Sequence, residues 1–280
     1  MKEETLRSLQ RTELDIARQV FRICDENGLR CSLVGGSAIG AVRHGGFIPW
    51  DDDMDLAMPR PDYERFIELC KTELPPQYFL QCFSTEPNCA FVFAKVRRNG
   101  TRLLEQYSRD VDMHQGVWVD IFVYDEVSDD PAVRRRDERS LALWRNLLIV
   151  KSGFELPPDK QQPMQKAAYA VARGVSALIP RQFLVDKCEA IMRSHEGEGT
   201  AQIYPYAGAY ASEKELMPAD LFDDLMDVDF EGEKFKIFSN YDRYLGSIFG
   251  DYMQLPPEED RHGNHYLKED GIVSEPPAGQ

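Results

Sequence analysis

A chain of 280 residues, 42% hydrophobic and 11% aromatic, carries enough apolar side chains for a sizeable core, which excludes global disorder. A formal charge of −15 and a pI near 4.8 exclude bulk electrostatic binding to nucleic acid or anionic lipid, but not a phosphate-bearing small molecule held through a metal ion. Six cysteines show neither CxxC spacing nor a Cys/His zinc grouping, so they read as buried free thiols of a reducing cytoplasm.

The opening segment, MKEETLRSLQRTELD, has no apolar signal stretch, and no run approaches the roughly 18 apolar residues of a membrane span. The expectation is a cytoplasmic protein with at most peripheral membrane contact. Residues 3–27 predict an amphipathic helix, with Leu6, Leu9, Ile16, Val20, Phe21 and Cys24 at helical spacing and Gly28 as C-cap. RCSLV (30–34) predicts a short buried strand that runs into Gly35-Gly36-Ser37 and then a short helix, AIGAVRH. Strand, Gly-Gly-Ser, helix is the layout of an anion-binding turn.

DMDLAMP (53–59) alternates as a strand does, with Asp53 and Asp55 on one side and Met54, Leu56 and Met58 on the other. A helix follows at RPDYERFIELCKTEL, then strands at 78–83, 91–98 and 116–125. Within the last, Trp118, Asp120, Phe122 and Tyr124 share a side. Helices are expected at 131–152, 163–178 and 181–194, and the apolar run at 167–179 reads as a buried helix or as the wall of a groove for a lipid-linked acceptor. VDFEGEKFKIF (228–238) has the pattern of a hairpin turning at Glu231-Gly232, and YDRYLGSIFG that of a short helix packing on the main domain. The change from mixed strand and helix to mostly helix divides the chain into a core at 1–126, a mainly helical portion at 127–225 on the acceptor side, a hairpin and helix returning to the core at 226–265, and a mobile tail at 266–280.

The segment FIPWDDDMDLAMPR (47–60) sets four carboxylates, Asp51, Asp52, Asp53 and Asp55, among apolar residues. A solvated acidic turn conflicts with the burial implied by Trp50, Met54 and Leu56, since buried carboxylates need a counter-charge. An EF-hand loop fails because Leu56 and Asp62 stand where Gly and Glu are required. The metal-binding DxD of glycosyltransferases is chemically close, but a nucleotide-binding parallel α/β half is missing upstream. The nucleotidyltransferase pattern of the DNA polymerase beta superfamily fits LVGGS (33–37), DMDL (53–56) and VDIF (119–122) in order. On that pattern Asp53 and Asp55 share a strand face, Asp120 arrives from a neighbouring strand, and oxygen-only ligands suit magnesium or manganese. Gly35 and Gly36 let backbone amides approach a phosphate, and the Ser37 hydroxyl can donate to it.

The stretch GGSAIGAVRHGGFIPWDDDMDLAMPRPDYERF closely resembles the LicD family of phosphocholine transferases, which includes the fukutin-related glycan phosphotransferases. FAKVRRNGT (93–101), GVWVDIFVYD (116–125) and YDRYLGSIFGDYMQLPPEEDRHGNH (241–265) extend the resemblance, and 127–225 matches least. It implies an α+β nucleotidyltransferase-like fold, a small mixed sheet flanked by helices, with an additional helical portion. It implies an enzyme that moves phosphocholine, or another phospho-alcohol such as ribitol or glycerol phosphate, from CDP-choline or another CDP-alcohol. The acceptor is a sugar hydroxyl of a teichoic acid or lipopolysaccharide precursor, CMP leaves, and no nucleic acid takes part.

Carried over residue by residue, the resemblance makes Asp53, Asp55 and Asp120 the catalytic carboxylates: Asp53 and Asp55 as metal ligands, Asp120 coordinating metal or accepting the acceptor hydroxyl's proton, with Asp51 as a further metal-site acid holding the ion's waters and Asp52 unassigned. Gly36 and Ser37 cradle the donor phosphate, and Arg43, His44 and Lys95 complement its charge. Plainer readings stand beside these: a surface charge for Arg43, a helix cap for His44, an edge charge for Lys95. Trp50 and Trp118 are candidate walls for a trimethylammonium group, or core residues. His262 and His265 are weak metal candidates; His262 touching donor or acceptor is the alternative. NTP-dependent nucleotidyl transfer and a non-catalytic glycan- or nucleotide-binding protein remain open.

Overall fold

A computed structural model describes residues 2–156, 162–210 and 212–263. The expected tail at 266–280 and His265 lie outside the described residues. Helix α1 (Glu3–Asn27) forms as its periodicity predicts, burying Leu9, Ile16, Val20, Phe21, Ile23 and Cys24 on one stripe. It stops at Gly28, whose φ of 65° is left-handed, and the Leu29 N–H closes the last turn on the Cys24 carbonyl at 2.8 Å. The stripe packs against helix α3 (Arg60–Glu73) and against one face of the main sheet.

That sheet runs in the order β1 (Ser32–Leu33), β2 (Asp55–Pro59), β5 (Trp118–Val127), β4 (Ala94–Arg98), β3 (Tyr78–Gln81). Strands β2 and β5 are parallel; the other neighbours are antiparallel. The fold is therefore the α+β, nucleotidyltransferase-like arrangement of a mixed sheet flanked by helices. The stretch at 127–225 holds α4 (Pro131–Lys151), α5 (Pro163–Ala177), α6 (Arg181–Met192) and α7 (Ser212–Glu215). It also returns to the sheet, through β6 (Gln202–Tyr204) on the far end of β5 and β7 (Met217–Pro218) on β6. The hairpin of β8 (Leu225–Phe230) and β9 (Glu233–Phe238) turns at Glu231-Gly232, both with positive φ, as the sequence predicts. Helix α8 (Tyr241–Phe249) completes the core, and no helix among the described residues is long and apolar enough to cross a membrane.

Two local expectations are revised. Strand β2 begins at Asp55, not Asp53, because its parallel ladder with β5 starts at the pair Asp55–Asp120, leaving Asp53 in the preceding loop. Helix α5 is not buried: Met164 is 82% and Val171 67% exposed, and Ser176 is its only buried residue among those described. Its apolar residues fall on several faces, so its main contact, against α4, cannot cover them.

A buried ion pair ties α3 to β5. Arg60 donates through Nε and Nη2 to the two carboxylate oxygens of Asp125, at 2.6 and 2.9 Å, with both side chains almost fully buried. Burial raises the Asp125 pKa and Arg60 opposes it, leaving it at about 6; burial also works against the Arg60 charge, but Asp125 holds that pKa above the usual range. With the carboxyl at about 6 and bidentate geometry, the pair is ionised at neutral pH. Asp125→Asn would strand the guanidinium with Glu189, 3.9 Å away, as its remaining acidic neighbour. The expected cost is about 3 kcal/mol in urea unfolding; replacing exposed Glu68, paired with Lys71, should cost under about 0.5 kcal/mol.

Candidate active site

Register places the charged residues. Asp55 on β2 lies opposite Asp120 on β5, Asp120 opposite Lys95 on β4, and Lys95 opposite Gln81 on β3. Residues opposite in register point to one face of a sheet, so these four side chains form a row across it. The Lys95 ammonium stands 2.7 Å from Asp120 Oδ1, an ion pair by distance without hydrogen-bond alignment, and both side chains are under a tenth exposed. Lys95 also lies 4.3 Å from the centroid of the Trp118 ring, which is itself stacked by Arg97 at 5.0 Å. Trp118 is 2% exposed and belongs to this packing, not to a ligand wall.

The loop before β2 adds three more acids. Asp51, Asp52 and Asp53 each offer a carboxylate oxygen, and these oxygens lie within 4.8 Å of one another. Asp51 and Asp52 are buried and Asp53 is half-buried. Gln10, buried on α1, donates through Nε2 to the backbone carbonyls of Asp51 at 2.9 Å and Ile48 at 3.4 Å, fixing the loop from below. The sequence gives no sign of this role for Gln10 beyond its place on the apolar stripe. The β8–β9 turn braces the other end: the Glu231 carboxylate accepts from the Phe47 N–H at 3.2 Å, and the Glu231 N–H donates to the Gly45 carbonyl at 2.9 Å.

The Gly-Gly-Ser turn opens helix α2 (Gly35–Ile39), which continues as a π-helical turn through His44. The Gly35 amide donates to the Tyr244 hydroxyl at 3.2 Å, so it is already committed to α8. Gly36 is required for a different reason than a free amide: a Cβ there would come 2.7 Å from Asp51 Oδ2. The Ser37 hydroxyl oxygen accepts the Asp55 N–H at 2.9 Å, which couples the turn to the first residue of β2 and leaves its proton for another acceptor.

Arg43 donates through Nη1 to the Tyr252 carbonyl at 2.6 Å, so it clamps the segment after α8. Burial lowers its pKa and Asp51 opposes the shift. Burial, with Arg43 second, also lowers the pKa of His44. Trp50 is half-buried beneath Arg261, 5.5 Å from its centroid, and the backbone at Gly263 packs on Asp52. His262 is exposed, with Nδ1 3.1 Å from the Gly263 carbonyl and no place in the acidic group.

Two residues at the site carry no sequence motif. Tyr210 lines a small pocket with Asp55, Glu215 and Tyr244, and burial, then Asp55, Glu215, Asp53 and Asp51, push its pKa up to about 12. Glu215 on α7 accepts the Tyr210 N–H at 3.2 Å, and burial pushes its pKa up to about 7 against the N–H donors of Tyr210 and Ala209. Together they hang the 208–210 loop over the end of β2.

Among the described residues the acids close enough to share one ion are Asp51, Asp52 and Asp53; Asp55 and Asp120, expected beside Asp53, face each other on the sheet and are not part of that group. Carboxylates of this kind, all hard oxygen donors, suit a divalent cation. The family profile described as LicD/FKTN/FKRP, nucleotidyltransferase domain, matches residues 28–173, just over half of the chain. The chain is 29% identical over 273 residues to the lipopolysaccharide cholinephosphotransferase LicD of Haemophilus influenzae, covering 95% of this chain and 97% of that protein. It is 34% identical over 113 residues to ribitol 5-phosphate transferase FKRP of mouse and of human, spanning 40% of this chain but 20% of those proteins.

Gly36→Ala should push the Asp51 carboxylate aside while leaving the helix intact, because the obstructing atom is a side-chain oxygen. The expected result is a loss of catalytic rate of about 10-fold or more, from a sub-ångström misplacement, with little change in thermal midpoint. Circular dichroism melting beside a rate assay checks it.

Proposed function

The chain belongs to the LicD/FKTN/FKRP nucleotidyltransferase family, and from that premise we propose that it transfers phosphocholine, or a related phospho-alcohol, from a CDP-activated donor to a sugar hydroxyl of a cell-surface glycan or its precursor, releasing CMP. The observation that carries the reading is the row Asp55–Asp120–Lys95, set in register beside the acidic loop and the Ser37 turn. A cytoplasmic setting, where a CDP-alcohol and a lipid-linked saccharide meet, goes with this reaction.

In this reading Asp53, Asp55 and Asp120, with Asp51, would hold Mg2+ or Mn2+. The fit rests on an all-oxygen donor set, with Asp51 and Asp53 clustered beside Asp52 in the loop and Asp55 opposite Asp120 on the sheet, and on Gly36, whose missing Cβ lets the Asp51 carboxylate approach the turn. When bound, the ion neutralises phosphate charge and lowers the pKa of the attacking hydroxyl. The Ser37 proton bonds a phosphate oxygen of the donor, because its oxygen is occupied by the Asp55 N–H. Arg43, beside Asp51, adds positive charge at the phosphate. The sugar oxygen attacks phosphorus, the P–O bond to CMP breaks, and CMP leaves with the electron pair. Asp120 accepts the sugar's proton, with Lys95 holding the carboxylate in place.

The test is direct. Protein with magnesium, CDP-choline and a saccharide acceptor should release CMP, and the product should gain the mass of phosphocholine and not of a nucleotide. Asp53→Asn and Asp55→Asn should each lose at least about 100-fold while melting no lower than the natural protein. Full activity in both variants, or a nucleotide adduct, would contradict the assignment.

A further inference from the structure

Beyond Asp120 the sheet face opens into a cavity of about 750 Å³ between β4, β5, α4 and α5. Its wall is a chain of linked aromatic rings. Phe122 stacks on Phe93 with centroids 4.8 Å apart, Phe93 meets Phe91 at 5.5 Å, Phe91 meets Phe154 at 5.6 Å, and Phe154 meets Tyr107 at 6.1 Å. Four of the five are only half-buried, so they present ring surface to the space. These rings already attract a cation: the Lys95 ammonium lies 4.8 Å from the Phe91 centroid and 5.3 Å from that of Phe93.

The charges on the wall lean negative. With Lys95 and Asp120 paired to each other, Glu105 and Glu155 stand against Arg145. Glu105 is 2% exposed and is held by the Tyr107 hydroxyl, which donates to its Oε1 at 2.6 Å, while Arg97 behind it balances part of its charge. A polyol would find few partners among the rings, since each unpaired hydroxyl buried there costs free energy. A quaternary ammonium needs no hydrogen bond; it needs ring faces and a nearby negative charge.

We propose that this cavity seats the quaternary ammonium of the transferred group, with Phe93, Phe122 and Tyr107 as ring walls and Glu105 as the counter-charge. The inference rests on the transfer reaction proposed above and deepens it. The phosphate sits at the Asp120 mouth, the ethyl spacer reaches inward, and the site selects an alkylammonium cargo over a polyol.

Isothermal titration of the full chain with magnesium tests this, using CMP, CDP-choline and CDP-glycerol as ligands. CDP-choline should bind about 5- to 30-fold more tightly than CDP-glycerol. Phe93→Leu and Tyr107→Leu should each erase most of that preference while CMP affinity stays within about twofold. Tyr107→Phe, which keeps the ring, should retain it. Equal affinity for the two donors in the natural protein, with CMP bound, would overturn this inference alone. A parallel loss of CMP and CDP-choline in folded leucine variants would also overturn it, by placing the cytosine in the cavity. No binding of CMP at all would overturn the transfer reading and this inference together.

Discussion

Everything at this site depends on two carboxylates set side by side on parallel strands. Neighbouring strands lie about 4.8 Å apart, and two unit charges at that distance repel by about 3–4 kcal/mol at an effective dielectric near 20. That is a large share of the about 5–15 kcal/mol by which a domain is stable. The register Asp55 opposite Asp120 cannot slip to relieve it, because a shift of one residue would turn Leu56 and Ile121, both fully buried, to the wrong face. Lys95 offsets one charge from the next strand. The rest of the acidity, at Asp51 to Asp53, is held in place by Gln10 from one side and by the β8–β9 turn from the other. Core packing thus keeps negative charge together, as the cation-assisted reaction proposed above would require.

The same register links chemistry to selectivity. Phe122 is two residues beyond Asp120 on β5, so it shares Asp120's face and begins the aromatic wall. On the proposal above, a group bonded to a phosphate at Asp120 would enter that cavity, which Asp120 and Phe122 both line. The nucleotide end would lie toward the Gly-Gly-Ser turn and the loop carrying Tyr210. Glu215 and Tyr244 brace that side through Tyr210 and Gly35.

Much of this was legible in the sequence. Period-2 alternation exposed β2 and β5 and the shared face of Asp120 and Phe122; period-3.6 spacing exposed α1; and Glu231-Gly232 marked the hairpin. What escaped were features set by chain segments far apart. Asp53 lies off the strand because the ladder to β5, far later in the chain, starts only at Asp55, which no local pattern reveals. Helix α5 has an apolar composition that reads as buried, yet burial depends on what packs beside it. Gln10 looks like an ordinary polar residue on an apolar stripe until the loop of Asp51 folds over it. The ring wall gathers residues 91, 93, 107, 122 and 154, which no spacing rule connects. Trp118, tempting as a ligand wall, is covered by Lys95 and Arg97 instead.

The central claim is that the sheet row, and not the loop acids alone, holds the cation. A crystal of the protein with Mn2+ and CMP, measured for the anomalous signal of manganese, tests it most directly. The account predicts a peak in contact with the carboxylates of Asp53, Asp55 and Asp120. A peak held by Asp51 and Asp52 without Asp55, and with Asp120 still paired only to Lys95, would contradict it.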